Sequence, residues 1–232
     1  MRLTITAFMA LTLIALPAHA ATRAIPVPGF SKLRVEGPFT VRVHTGQAAS
    51  LRASGPQERL DRLKVESRDG TLLITTERGW SWRGMSWGKT EQIVIEIGVP
   101  MLDSAELTGS GDLAVDRVRT DRFTALLIGS GHLSVGRLDT ARLKATVTGS
   151  GDIALTGTTG LADLSVTGSG DLLAPALTAD MLNAAVMGSG DLRVGPTKTA
   201  KARMMGSGDI SIAGHPRCTT SKMGSGDIKC GG

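Results

Sequence analysis

One tetrapeptide carries most of the chemistry available to this chain. Gly-Ser-Gly-Asp recurs at Gly109, Gly149, Gly168, Gly188, Gly206 and Gly224, and Gly-Ser-Gly-His stands at Gly129. Each copy delivers a hydroxyl (Ser110, Ser130, Ser150, Ser169, Ser189, Ser207, Ser225) and a carboxylate (Asp112, Asp152, Asp171, Asp191, Asp209, Asp227), with His132 as the exception. Such a row invites three readings. The first is acid–base cleavage of a polysaccharide by clustered carboxylates. A row made by repetition is more simply structural, so no catalytic residue is assigned. The second is a serine nucleophile. Only His132 lies in that region to serve as its base, and His44, His132 and His215 share no metal-ligand spacing. The third is Ca²⁺, which needs six to eight oxygens. Asp152, Asp171, Asp191, Asp209 and Asp227 are the candidate ligands. Yet Ca²⁺-binding repeats of the GGxGxD type return every nine residues and set turns in opposing pairs. One turn per 18–20 residues makes a single row. Loose association of cations is expected there rather than built Ca²⁺ sites, and no other cofactor is implied.

The elements that position this row follow from its period. Successive copies are 20, 20, 19, 20, 18 and 18 residues apart. A fixed step in this range means stacked units that bury their apolar faces only against one another. Counting from the first Gly, apolar residues fall at +4 and +6: Leu113/Val115, Leu133/Val135, Ile153/Leu155, Leu192/Val194 and Ile210/Ile212. They return at −6, −4 and −2 from the next Gly, as in Phe123/Ala125/Leu127 and Leu143/Ala145/Val147. A spacing of two is the strand period. A further apolar contact at +9 (Val118, Leu138) fades to Thr158 and Thr197. The fold class is therefore all-β. It is a single-domain parallel β-solenoid of about seven coils, with like positions stacked about 4.8 Å apart in a rod roughly 30–35 Å long. The six-residue beat of a left-handed hexapeptide helix is absent, and right-handed crossovers predominate, so a right-handed β-helix is expected.

Two Gly residues flanking Ser allow positive φ at no Cβ cost, and Asp can bond backbone N–H groups in the turn. Stacked carboxylates repel. At 4.8 Å the cost is about 0.9 kcal/mol in water and about 3.5 at an effective dielectric of 20. Backbone donors, outward splay, raised pKa values or a bound cation must absorb it.

Residues 1–20 read as a secretory signal. Arg2 opens it, Leu3 to Leu16 form its apolar run, and Ala18-His19-Ala20 is the small-x-small cleavage site. The run is too short and Thr-interrupted to span a membrane. The exported chain then carries 25 basic and 21 acidic residues with no clustered basic stripe, and nucleic acid is not an expected partner. Residues 21–100 alternate less regularly (Leu33/Val35, Phe39/Val41/Val43, Leu72/Ile74) and read as first coils and cap. Residues 101–232 form the regular solenoid. Pro56 to Leu63 suggests one or two helical turns. All three Trp residues of the chain, Trp80, Trp82 and Trp87, sit with Arg83 in one Gly-rich loop. That loop is either a contact for glycan, lipid headgroup or protein, or a hairpin folding its indoles onto the solenoid flank. Cys218 at −6 and Cys230 at +6 both fall in inward slots of the last coil. In an exported chain they are expected to pair as a disulfide that staples the end.

The opening Phe30-Ser31-Lys32-Leu33-Arg34-Val35, the strand Ile93–Ile97 followed by Val99-Pro100-Met101-Leu102, and the iterated GSGD turns resemble the bacterial putative auto-transporter adhesin head (GIN) domain family. The resemblance covers about residues 28–230. It implies a β-solenoid exported to the cell envelope, periplasmic or surface-exposed, and offers no catalytic residues. A rigid rod with an acidic, hydroxyl-rich edge and a Trp loop at one end suits a non-enzymatic envelope module that binds glycan or protein. The alternatives are a polysaccharide lyase or hydrolase of β-helix type, and a structural solenoid that associates with itself through its ends.

Overall fold

A sequence that returns to the same inward slots every 18–20 residues winds into a coil, and the computed structural model, which describes residues 21–77 and 92–231, has that form. The irregular part holds β1 (Ala21–Ile25), β2 (Lys32–Glu36), β3 (Thr40–Thr45), β4 (Ser50–Gly55), α1 (Gln57–Leu60), β5 (Leu63–Arg68), β6 (Thr71–Thr76) and β7 (Val94–Val99). The regular part holds β8 (Ser104–Gly109), β9 (Asp112–Val115), β10 (Val118–Gly129), β11 (His132–Gly149), β12 (Asp152–Gly168) and β13 (Leu172–Gly188). It ends with β14 (Leu192–Val194), β15 (Thr197–Gly206), β16 (Ile210–Ile212), β17 (Arg217–Gly224) and β18 (Ile228–Cys230). Strands β10 to β13 bend around the corners of a coil and stay paired with the coils on either side.

Two walls of parallel pairing run the length of the rod. On the wall before each glycine turn, Val35, Leu107, Leu127, Val147, Val166, Val186 and Met204 lie in direct register. Beside them run Leu33, Ala105, Ala125, Ala145, Leu164, Ala184 and Ala202. On the wall after the turn, Val41, Leu113, Leu133, Ile153, Leu172, Leu192 and Ile210 align. All of these side chains are buried. Small Ala on one column faces Leu, Val and Ile on the others, which lets a narrow coil close at interior packing density. Seven glycine turns bound six complete coils rather than seven, with β18 opening a further one.

The third side departs from expectation. A register shift after Val135 sets Gly157 opposite Leu138, and Leu177 then resumes the apolar column. Thr158 is exposed. Two residues on, Thr140, Thr159 and Thr197 are buried. Each donates its hydroxyl to the carbonyl two residues ahead, at 3.1, 3.1 and 3.2 Å. Thr120, in the same column, instead donates to Asp103 Oδ1 at 2.8 Å, and Ala179 interrupts the row. The bonds of Thr140, Thr159 and Thr197 give each buried hydroxyl a backbone acceptor at the corner.

The irregular strands close the first coil. β7 pairs parallel with β3, β4 antiparallel with β7, and β1 antiparallel with β4. On the other wall β6 pairs parallel with β2, and β5 antiparallel with β6. One helical turn, α1, seals the end with Leu60 buried. The outermost strand β5 carries Lys64, Glu66 and Arg68 exposed, charges that discourage edge pairing with another chain. At the far end Cys218 and Cys230 form the expected disulfide, Cα atoms 6.5 Å apart. Thr220 and Lys222 stand in register above Ala202 and Met204, so the last rung of the inward columns is polar.

Candidate functional site

The glycine turn is built by close approach. The first Gly of each turn takes positive φ, +121° at Gly129. A Cβ on the second, as at Gly131, would overlap the carbonyl oxygen of Gly111 in the coil below. That approach lets Ser130, Ser150, Ser169, Ser189, Ser207 and Ser225 each donate a backbone N–H to the preceding turn's first Gly at 2.9–3.0 Å.

The aspartate row divides into two halves. In the first turns the amide of the fourth residue reaches a backbone carbonyl below: Asp112 to Phe39, His132 to Gly111 and Asp152 to Gly131, at 2.8–3.1 Å. From there the carboxylates take over. Asp152 Oδ1 accepts the amide of Asp171 at 3.0 Å, Asp171 that of Asp191 at 2.8 Å, Asp191 that of Asp209 at 2.9 Å, and Asp209 that of Asp227 at 2.8 Å. Backbone donors therefore meet the row's charge, with Arg193 at 3.4 Å from Asp191 and Lys222 at 3.6 Å from Asp227. His132 replaces Asp where the carboxylate ladder has not begun. Among the described residues no three His, Cys, Asp or Glu side chains converge as a metal site. Trp80, Trp82, Arg83 and Trp87 lie outside the described residues.

One surface feature that the glycine period did not reveal is rich in arginine. Asp116, Arg117, Val118, Arg119, Arg137 and Asp139 line a depression of about 510 Å³ at the corner between β9 and β10 and the matching bend of β11. Arg117 and Arg137 occupy the same slot of successive coils, one residue ahead of the paired Val118 and Leu138. Like charges in register repel. Among the described residues neither guanidinium has a hydrogen bond or ion pair. Asp116, the nearest carboxylate in sequence, is engaged elsewhere. Its Oδ1 accepts from the Thr45 amide at 3.0 Å, and Oδ2 lies 3.7 Å from His44 Nδ1. His44 Nε2 also lies 3.0 Å from Glu96, which binds Arg42 at 3.0 Å. Arg119 pairs loosely with Asp139 at 3.6 Å, with the arginine side chain 87% exposed. Arg122 and Arg142 repeat the pattern at the next corner, in direct register. The sequence signal for this flank was the same residue type recurring one repeat apart, Arg117/Arg137 and Arg122/Arg142. Planar guanidinium forks of this kind recognise carboxylate, phosphate or sulfate bidentately.

A family model described as putative auto-transporter adhesin, head GIN domain, matches residues 29–216. A putative adhesin from Bacteroides fragilis NCTC 9343 has a similar structure, at TM-score 0.82 and 25% identity, covering 90% of this chain and 96% of that one. A protein described as a putative lipid binding protein from Parabacteroides distasonis ATCC 8503 aligns at TM-score 0.71 and 23% identity, covering 92% and 97%. A putative adhesin from Parabacteroides merdae ATCC 43184 aligns at TM-score 0.70 and 17% identity, covering 92% and 96%. The last two show a shared fold. No curated protein matches the chain.

Proposed function

The chain belongs to the putative auto-transporter adhesin head GIN domain family, and from that premise we infer that it is a non-enzymatic binding module of the bacterial cell envelope whose ligand is an acidic glycan. The family and the disulfide point to an exported envelope protein. Among the described residues no helix is long and apolar enough to cross a membrane. One observation carries the ligand class. Arg117, Arg119 and Arg137 line a single depression together with Asp116 and Asp139, and among the described residues Arg117 and Arg137, in the same slot of successive coils, have no ion-pair partner. Guanidinium groups on adjacent coils are tolerated at lowest cost when an anion sits between them. A rod of fixed register presents such groups at intervals of about 4.8 Å, close enough for one acidic substituent to engage two arginines.

The aspartate row argues against the lyase or hydrolase alternative. Its Oδ1 atoms already accept backbone N–H bonds along β12 to β17. End-to-end self-association is opposed by Lys222, which ends an inward apolar column in a charge. The direct test is retention of the oxidised protein on uronate-containing, phosphorylated and neutral polysaccharides across a salt series. Retention on the acidic polymers, falling with salt, is expected. Arg117→Gln with Arg137→Gln should weaken it about 10-fold or more, from charge-assisted bonds of about 1.5–3 kcal/mol each. Equal retention on neutral polymer, or indifference to both substitutions, would overturn the reading.

A further inference from the structure

The outward position just before each glycine turn forms a column of its own. From the N-terminal end it reads Glu36, Thr108, Ile128, Thr148 and Thr167, and then Met187, Met205 and Met223. The three methionines are direct register neighbours, Met187 with Met205 and Met205 with Met223. They are 55%, 50% and 68% exposed. Their strands send other residues inward, Val186 and Met204 among them, so the exposed thioethers are not a displaced part of the core. Isolated exposed apolar side chains are ordinary. Three of one type stacked in register are a contiguous feature of the kind that marks a site.

We propose that Met187, Met205 and Met223 bind one soft monovalent cation, Cu(I), for which Ag(I) is the practical surrogate. Thioether sulfur is a soft donor that selects Cu(I) over hard or borderline ions. Being uncharged, it needs no deprotonation to bind. The spacing fits. Neighbouring rungs of the ladder are about 4.8 Å apart, and two metal–sulfur bonds of about 2.3 Å span about 4.6 Å. One ion can thus lie between adjacent rungs without moving the backbone. Methionine is unbranched with three rotatable bonds, so the third sulfur can close on the same ion. Arg203 lies two residues before Met205 on the same face and is exposed to solvent. Lys222 is drawn toward Asp227 at 3.6 Å. Asp191, Asp209 and Asp227 follow the methionines across the glycine corner. Both cysteines are in the disulfide, so no thiol competes for the ion. The site is independent of the arginine flank.

The test is titration of the oxidised protein, labelled with ¹³C at the methionine methyls, with Ag(I), followed by native mass spectrometry and NMR. One ion per chain should bind, with shifts confined to the methyls of Met187, Met205 and Met223. Met101 and Met181 are 50% and 53% exposed and outside the column, and serve as internal controls. Met205→Leu, which keeps size and hydrophobicity on an exposed face, should weaken uptake at least 10-fold. Met181→Leu should leave it unchanged, and millimolar Ca²⁺ or Mg²⁺ should not displace the ion. Failure to take up a stoichiometric ion, equal shifts at all exposed methionine methyls, or wild-type uptake by Met205→Leu would each overturn the proposal.

Discussion

At the residue scale, one side chain does two different things along a single row. Asp112 and Asp171 occupy the same slot of the repeat, yet only Asp171 accepts the next coil's backbone amide, at 2.8 Å. A charged acceptor on a backbone N–H contributes about 1.5–3 kcal/mol, and its loss leaves the donor partly unsatisfied. Asp171→Ala should therefore lower stability by about 1.5–3 kcal/mol, and Asp171→Asn, which keeps an oxygen acceptor, by less. Asp112→Ala should stay within about 0.5 kcal/mol. Urea unfolding of the three variants checks this, because the midpoint separates them while the slope stays fixed. Equal losses at Asp112 and Asp171 would mean that the row is held by something other than the carboxylate–amide ladder. The same division explains His132. It sits below Asp152, whose amide is taken by the Gly131 carbonyl, so a carboxylate there is dispensable.

At the element scale, most of the coil was legible in the sequence. Alternation at +4/+6 and −6/−4/−2 identified the inward columns because one face of every strand meets only the next coil. The glycine turn was legible in part: positive φ is expected of both glycines, yet only the first takes it, and the second is needed for close approach to the coil below. The threonine row was not legible. As the step shortens from 20 to 18 residues, Thr140, Thr159 and Thr197 sit 11, 10 and 9 residues from their turn glycines. A drifting offset hides a column that the register keeps straight. Seven turns enclose six coils, so the number of glycine turns overstates the number of coils by one. The N-terminal cap was visible only as irregular strands, since antiparallel pairing of β1 with β4 and of β5 with β6 depends on contacts distant in sequence. The arginine flank was missed because a charge is ordinarily read as a solvated surface residue, and its meaning lay in the pairing of Arg117 with Arg137 one coil apart. The disulfide was readable because both cysteines fell in inward slots of one coil. Its loop of 12 residues' separation is worth about 3 kcal/mol on the chain-entropy model. Replacing both cysteines with Ser should cost about 2–3 kcal/mol. Hydrogen exchange should then accelerate in β16, β17 and β18 while β10 to β12 keep their protection. Uniform acceleration would show that the last coil is not a separate unit of local opening.

At the scale of the whole molecule, repetition produces a rod with faces of different chemistry: an acidic corner closed by its own backbone, a cationic flank near the N-terminal coils, and a thioether column near the C-terminal ones. Each end is closed differently, by α1 and the antiparallel strands at one and by the disulfide with Thr220 and Lys222 at the other. A solenoid's stability is close to a sum over neighbouring coils, so outward residues can change without disturbing the core. That freedom lets the flank at Arg117, Arg119 and Arg137 specialise for a ligand. Under the proposed function an acidic glycan lies on that flank. Amide hydrogen exchange of the oxidised protein, with and without a saturating acidic oligosaccharide, tests it most directly. Slower exchange confined to residues 116–122 and 136–142 is the predicted result. Protection elsewhere on the rod, or none at saturation, would contradict it.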